Sequence, residues 1–128
     1  MYTLIICLFI AVLLPYLAKL PVGYAMQKTG RYDNNHPRAQ QASLTGFGGR
    51  AVAAHHNSFE SLIVFATAAL TALVTNNLSD TIQMLAVTYI VARVIYHVLY
   101  LLNWSTLRST IWFISYASCL AILWMCIP

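Results

Sequence analysis

Two apolar stretches of this sequence carry side chains that can hold a charge or a hydrogen bond. In RAVAAHHNSFESLIVF, residues 50–65, Arg50, Asn57 and Glu60 recur at i, i+7 and i+10. At 100° per residue they fall close to one face of a helix. In RVIYHVLY, residues 93–100, Arg93, Tyr96, His97 and Tyr100 stand at i, i+3, i+4 and i+7, again one helical face, with valine, isoleucine and leucine filling the rest. A charged side chain deep in hydrocarbon costs at least ~2.5 kcal/mol, so such groups must pair with one another or hold a polar ligand. Glu60 lies fourteen residues before Val74, about 21 Å along a helix, and Arg93 eleven after Ile82, about 17 Å, so the two reach similar depth. A structural Glu60–Arg93 ion pair is the first contact to expect. Polar residues between membrane helices often act only as fasteners. Two stripes, Asn57, two tyrosines and Arg108 exceed what one tether needs, which points to a polar ligand.

The elements that position these residues follow from composition. The chain has 128 residues, 60% hydrophobic and 8% charged, with a mean hydropathy of +0.70. This balance excludes an ordinary water-soluble domain and marks an integral membrane protein. Four apolar segments each approach the ~17–25 residues that cross a bilayer as helix. They predict a single all-α domain over residues 1–128, an up-down four-helix bundle with helices at about 2–20, 47–75, 81–102 and 107–127. The first segment lacks a basic leader and a small-residue cleavage pattern and reads as a retained helix. Residues 26–43, rich in Gly, Asn, Asp and Pro, predict a loop. Ser43 or Thr45 is a candidate cap for the second span, and Ser79 or Asp80 for the third.

Lys19, Lys28, Arg31, Arg38, Arg50, Arg93 and Arg108 all lie in or near the first and third connections. The positive-inside rule then predicts both termini outside and loops 1 and 3 cytoplasmic. The net charge of +4 is a topology signal that also suits anionic headgroups or an anionic ligand, and it implies no nucleic acid. His55 and His56, being adjacent, point about 100° apart, and His36 falls in the loop. No histidines, cysteines and carboxylates share a face at ligand spacing, so no metal site is predicted. Cys7, Cys119 and Cys126 read as packing residues. Trp104, Trp112 and Trp124 read as interfacial anchors.

RAVAAHHNSFE, followed by RVIYHVLYLLNWSTLRS, resembles the MAPEG superfamily, membrane-associated proteins in eicosanoid and glutathione metabolism. GRYDNNHPR with LTGFGGRA is similar to a bacterial branch of it. The resemblance implies a homotrimer in the bacterial inner membrane, with glutathione as co-substrate between subunits and a lipophilic small-molecule substrate arriving from the membrane lipids. It implies glutathione contacts at Asn57, Glu60, Tyr96 and Tyr100, with Arg50 and His56 as further candidates, and a catalytic Arg108 that stabilises the glutathione thiolate. A thiol with an ordinary pKa near 8.5 is only a few per cent thiolate at neutral pH, and a nearby guanidinium lowers that value. The implied activity is that of a membrane-bound glutathione transferase or glutathione-dependent peroxidase acting on lipophilic electrophiles. Ala53 stands where glutathione-using relatives carry arginine. Arg108 follows Tyr100 by eight residues where relatives space the arginine by seven or nine, and His56 stands where the prostaglandin synthases carry arginine. These departures suit an alternative, a non-catalytic membrane protein of the same fold that binds lipid or serves as an accessory subunit.

Overall fold

A computed structural model describes residues 1–128. Six helices follow in order: α1 (Tyr2–Leu17), α2 (Lys19–Lys28), α3 (Pro37–Ala42), α4 (Gly46–Val74), α5 (Asp80–Leu101) and α6 (Ser105–Met125). Four spans are long and apolar enough to cross a membrane: Tyr2–Lys28, Gly46–Val74, Asp80–Leu101 and Ser105–Met125. The protein is an all-helical integral membrane protein.

The first span runs eight residues further than its apolar pattern suggests. Pro15 sits inside α1, and Ala18, still right-handed at φ −63° and ψ −18°, donates its N–H to Leu14, so the axis continues into α2. Val22, Ala25 and Met26 then line one face of α2 at i, i+3 and i+4 and are buried, Val22 and Met26 clustering with Ala51 of α4. Met26, read from its polar neighbours as the start of the loop, is therefore a packing residue. Gly48 permits the approach: a Cβ there would lie 3.1 Å from that of Ala25. Within the remaining connection Pro37 starts the short α3, where its missing N–H costs nothing.

The other connections are tight. Asn76 and Asn103 adopt left-handed φ of 53° and 63° just past the ends of α4 and α5. Asn76 donates its N–H to Leu73 and Asn77 to Ala72; Asn103 donates to Tyr100 and Trp104 to Leu99. These paired bonds satisfy carbonyls that a helix end otherwise strands. The Ser79 side chain accepts from the Ile82 N–H and caps α5, whereas Thr45 precedes α4 without a side-chain cap bond.

α4 and α5 form a spine. Each touches α1 and α6, while α1 and α6 do not touch each other. Far from the loop the spine packs on small residues: Ala68, Ala69 and Ala72 meet Leu4, Ile82 and Ile122, and Phe65 stacks on Tyr89 with ring centroids 4.0 Å apart. Cys7 and Cys119 belong to this core, as expected of packing residues. Phe9, Ile63, Leu70, Phe113 and Trp124 are exposed, as lipid-facing side chains are. Trp104 and Trp124 lie at the two ends of α6, but Trp112 lies two turns inside it, stacked on Tyr116, and lines a cavity rather than an end.

Candidate functional site

α4 and α5 turn their polar stripes toward each other in the half of the bundle nearest the long connection. Arg93 is 3% exposed and donates from Nη2 to Asn57 Oδ1 at 2.7 Å. Asn57 donates in turn from Nδ2 to Glu60 Oε2 at 3.1 Å. The expected Glu60–Arg93 ion pair is thus not a direct contact. The single ion pair of the chain is His36–Asp33, at 3.7 Å in the loop. The reason is the amide one turn before Glu60: it offers an acceptor to the guanidinium and a donor to the carboxylate, and it fits between them. Glu60 is left at the exposed end of this relay.

A ladder of rings and guanidinium groups continues toward the loop end. Arg93 lies over the ring of Tyr96, Cζ 4.1 Å from its centroid. Tyr96 meets Tyr100 edge-on at 5.6 Å, and Arg108, from the first turn of α6, covers Tyr100 at 4.2 Å. Cation–π contacts of this kind hold a planar cation while leaving its edge free for hydrogen bonds. The i, i+4 spacing of the tyrosines and the tight turn at Asn103 bring Arg108 back over α5.

α6 closes a cavity against this stripe. It is about 120 Å³, bounded by Asn57, Glu60, Ser61 and Tyr89 on the spine and by Trp112, Ser115, Tyr116 and Cys119 on α6. Ser61 and Tyr89 share a hydrogen bond of 2.8 Å across the spine. None of these α6 residues was read as a cavity wall in the sequence, although 112, 115, 116 and 119 form an i, i+3, i+4, i+7 stripe. Trp112 reads as an anchor and Cys119 as a packing residue.

Two of the candidates stand outside this assembly. Arg50 is bound to the end of α5, with Nε and Nη2 each 3.4 Å from the Leu101 carbonyl, where it satisfies a terminal acceptor. His56 is exposed and its Nε2 lies 3.3 Å from Gln41 Nε2. It lines an open groove of about 650 Å³ with Lys19, Arg38, Tyr32 and Phe59. Lys19 donates to Gln41, and His55 turns away to place Nδ1 2.8 Å from the Pro15 carbonyl. In the loop, the backbone N–H groups of His36 and Asn35 and the His36 ring hold the Asp33 carboxyl below the usual carboxylate range.

A MAPEG family model matches residues 3–128, essentially the whole chain. The chain belongs to the MAPEG family. No curated protein and no solved structure gives a significant match. MAPEG membership accounts for the four spans, and it makes glutathione, the co-substrate members of the family generally use, the first ligand to weigh against the Asn57–Glu60–Arg93 relay.

Proposed function

We propose that the protein is a membrane-bound glutathione transferase or glutathione-dependent peroxidase acting on lipophilic electrophiles. The observation that carries this reading is the ladder from Glu60 through Asn57, Arg93, Tyr96 and Tyr100 to Arg108. It spans membrane depth to the loop end and leaves a carboxylate at one end and a guanidinium at the other. Glutathione offers a complementary set: an ammonium for Glu60, amides for Asn57 and the tyrosine hydroxyls, and a thiol for Arg108. The 120 Å³ cavity of one chain is smaller than the ~300–1,000 Å³ of typical ligand pockets, so the tripeptide needs further wall from another subunit. A homotrimer with glutathione between neighbours supplies it, and the groove bearing Lys19, Arg38 and His56 is the available source of cations for the second carboxylate.

Arg108 holds the sulfur as thiolate by charge and hydrogen bonding. In the transferase reaction the thiolate forms a bond to an electrophilic carbon, the leaving group departs with the electron pair and a proton, and a thioether results. In the peroxidase reaction two glutathiones reduce a hydroperoxide to alcohol and water and become a disulfide. In either case the electrophile enters laterally from the lipid. We place the protein in the bacterial inner membrane on its resemblance to a bacterial branch of the family, with both termini outside and loops 1 and 3 cytoplasmic on the distribution of its seven lysines and arginines.

A second reading, a non-catalytic member that binds lipid or serves as an accessory subunit, rests on Ala53 together with Arg50. The arginine nearest to that position is occupied on the Leu101 carbonyl. Calorimetry of glutathione binding to the detergent-purified protein, beside Asn57→Ala, separates the two. Saturable binding lost in the variant, with thiolate absorbance appearing at lowered pH, supports the enzyme. No binding up to millimolar tripeptide removes it in favour of the second reading.

A further inference from the structure

The other flank of the spine holds a second cleft, between α1 and α5. Its volume is about 250 Å³, and its walls are mostly apolar, Ala11, Leu14 and Ala18 from α1 and Val98 from α5 among them. Ser58, Arg93 and His97 also line it, and the last two each carry a buried nitrogen with no partner: Nη1 of Arg93 and Nε2 of His97. A buried donor left unmade costs on the order of 1–3 kcal/mol, more for a charged group. Arg93 is moreover a buried cation whose single hydrogen bond goes to a neutral amide, with no carboxylate in ion-pair contact. Fixed cations in hydrocarbon call for a compensating anion.

We propose that this cleft is a binding site for the carboxylate of a single-chain lipid acid, lying across the spine from the Asn57–Glu60 cavity and sharing with it the Arg93 guanidinium and the Tyr89 wall. One carboxylate oxygen accepts from Arg93 Nη1 and the other from His97 Nε2. Ser58 is the tautomer switch: its hydroxyl donates to the Ala54 carbonyl at 3.1 Å, where it can only accept from His97 Nδ1 at 3.4 Å, and binding of the carboxylate requires it to turn. Turning that hydroxyl onto Nδ1 leaves the imidazole neutral with its proton on Nε2, a donor to the ligand. No net proton is taken up.

Depth and size select the ligand class. Arg93 lies eight residues and His97 four from the end of α5 at Leu101, about 12 Å and 6 Å inside it. A diacyl phospholipid keeps its phosphate at the headgroup level, whereas a lone carboxylate on one chain can sit at this depth. The cleft is several times the ~30 Å³ share of a water molecule, which leaves room for the head and the first methylenes while the tail follows the exposed Val94 and Val98 into the bilayer.

The test is native mass spectrometry of the full-length protein in detergent, titrated in turn with oleate, methyl oleate and dioleoyl phosphatidylglycerol, with glutathione affinity measured on the same samples. Oleate should be retained about tenfold more strongly than its methyl ester, the worth of a charge-assisted hydrogen bond. Ala18→Leu, which fills the cleft wall, should weaken oleate about tenfold and leave glutathione affinity unchanged. Equal retention of acid and ester, displacement of oleate by the phospholipid, or undiminished oleate binding in a folded Ala18→Leu protein would overturn the site. If Ala18→Leu does not fold, the acid-against-ester contrast and a several-fold loss in His97→Phe decide it. Loss of glutathione binding alone leaves this site standing and sinks the enzyme reading instead.

Discussion

The two halves of the bundle use the same helices for different ends. Toward the Asn76 turn, α4 presents Ala68, Ala69 and Ala72, which let α1, α5 and α6 approach closely, and the only ring pair is the flat Phe65–Tyr89 stack. Toward the long connection the same α4 carries His55, Asn57, Ser58 and Glu60, and the spaces between helices become cavities whose largely apolar walls carry a few hydroxyls and nitrogens. One half is a joint; the other is a container. Because lipid tails are as apolar as leucine, the joint is held by packing rather than by escape from water. The container is held by hydrogen bonds that it shares with whatever occupies it.

Breaking the joint should cost the most. Phe65→Ala removes a fully buried ring and its stack on Tyr89, and we expect about 3 kcal/mol of lost stability. The check is thermal unfolding in detergent, with glutathione affinity per folded molecule unchanged; equal loss of both would mean that the halves are not separable. Breaking the container at Arg108 should spare the fold, since that side chain is half-buried and packs on Tyr100 alone among the rings. Arg108→Ala should raise the bound thiol pKa by about one unit and slow turnover about tenfold at neutral pH, one unit being a factor of ten in thiolate. The sign fixes the pH profile. The variant is most impaired below the new pKa and recovers as pH rises past it, and a rate defect that stays flat to pH 10 would remove Arg108 from the chemistry.

The smallest effect lies outside both halves. Asp33 is held below the ordinary carboxylate range by two backbone N–H groups, so its contribution to loop order is present above that range and fades as pH falls through it. Limited proteolysis of residues 29–36 should speed up modestly between pH 5 and 3 in the parent protein. Asp33→Asn should show a flat profile, and an unchanged parent rate would show that the turn does not depend on the charge.

Much of this difference was legible in the sequence, and what was not has physical reasons. The Ser79 cap followed from its place before an apolar run, whereas the left-handed turns at Asn76 and Asn103 show only in the fold. The stripes on α4 and α5 followed from periodicity, since facing positions need only the helical repeat. The Glu60–Arg93 contact failed because depth fixes which residues are level with each other but not which neighbour intervenes. Asn57, already counted as a ligand residue, was also the better partner for both charges. Met26 was misplaced because the residues that follow it are polar, and only the fold shows that it packs with Ala51. The α6 wall was overlooked because Trp112, Ser115 and Tyr116 are ordinary lipid- and helix-facing types until a polar stripe is set opposite them.

The asparagine turns also bear on how the chain assembles. With two such turns, α4, α5 and α6 are consecutive hairpins whose contacts are local in sequence, so each pair can form as soon as its second helix is in the membrane. α1 has no such neighbour: it must close a longer loop to reach the spine, and loop-closure entropy must be met before its contacts return anything. The Arg50 bridge to Leu101 ties the start of α4 to the end of α5 across that hairpin. Contact order therefore favours pairing of the C-terminal three helices before α1 docks.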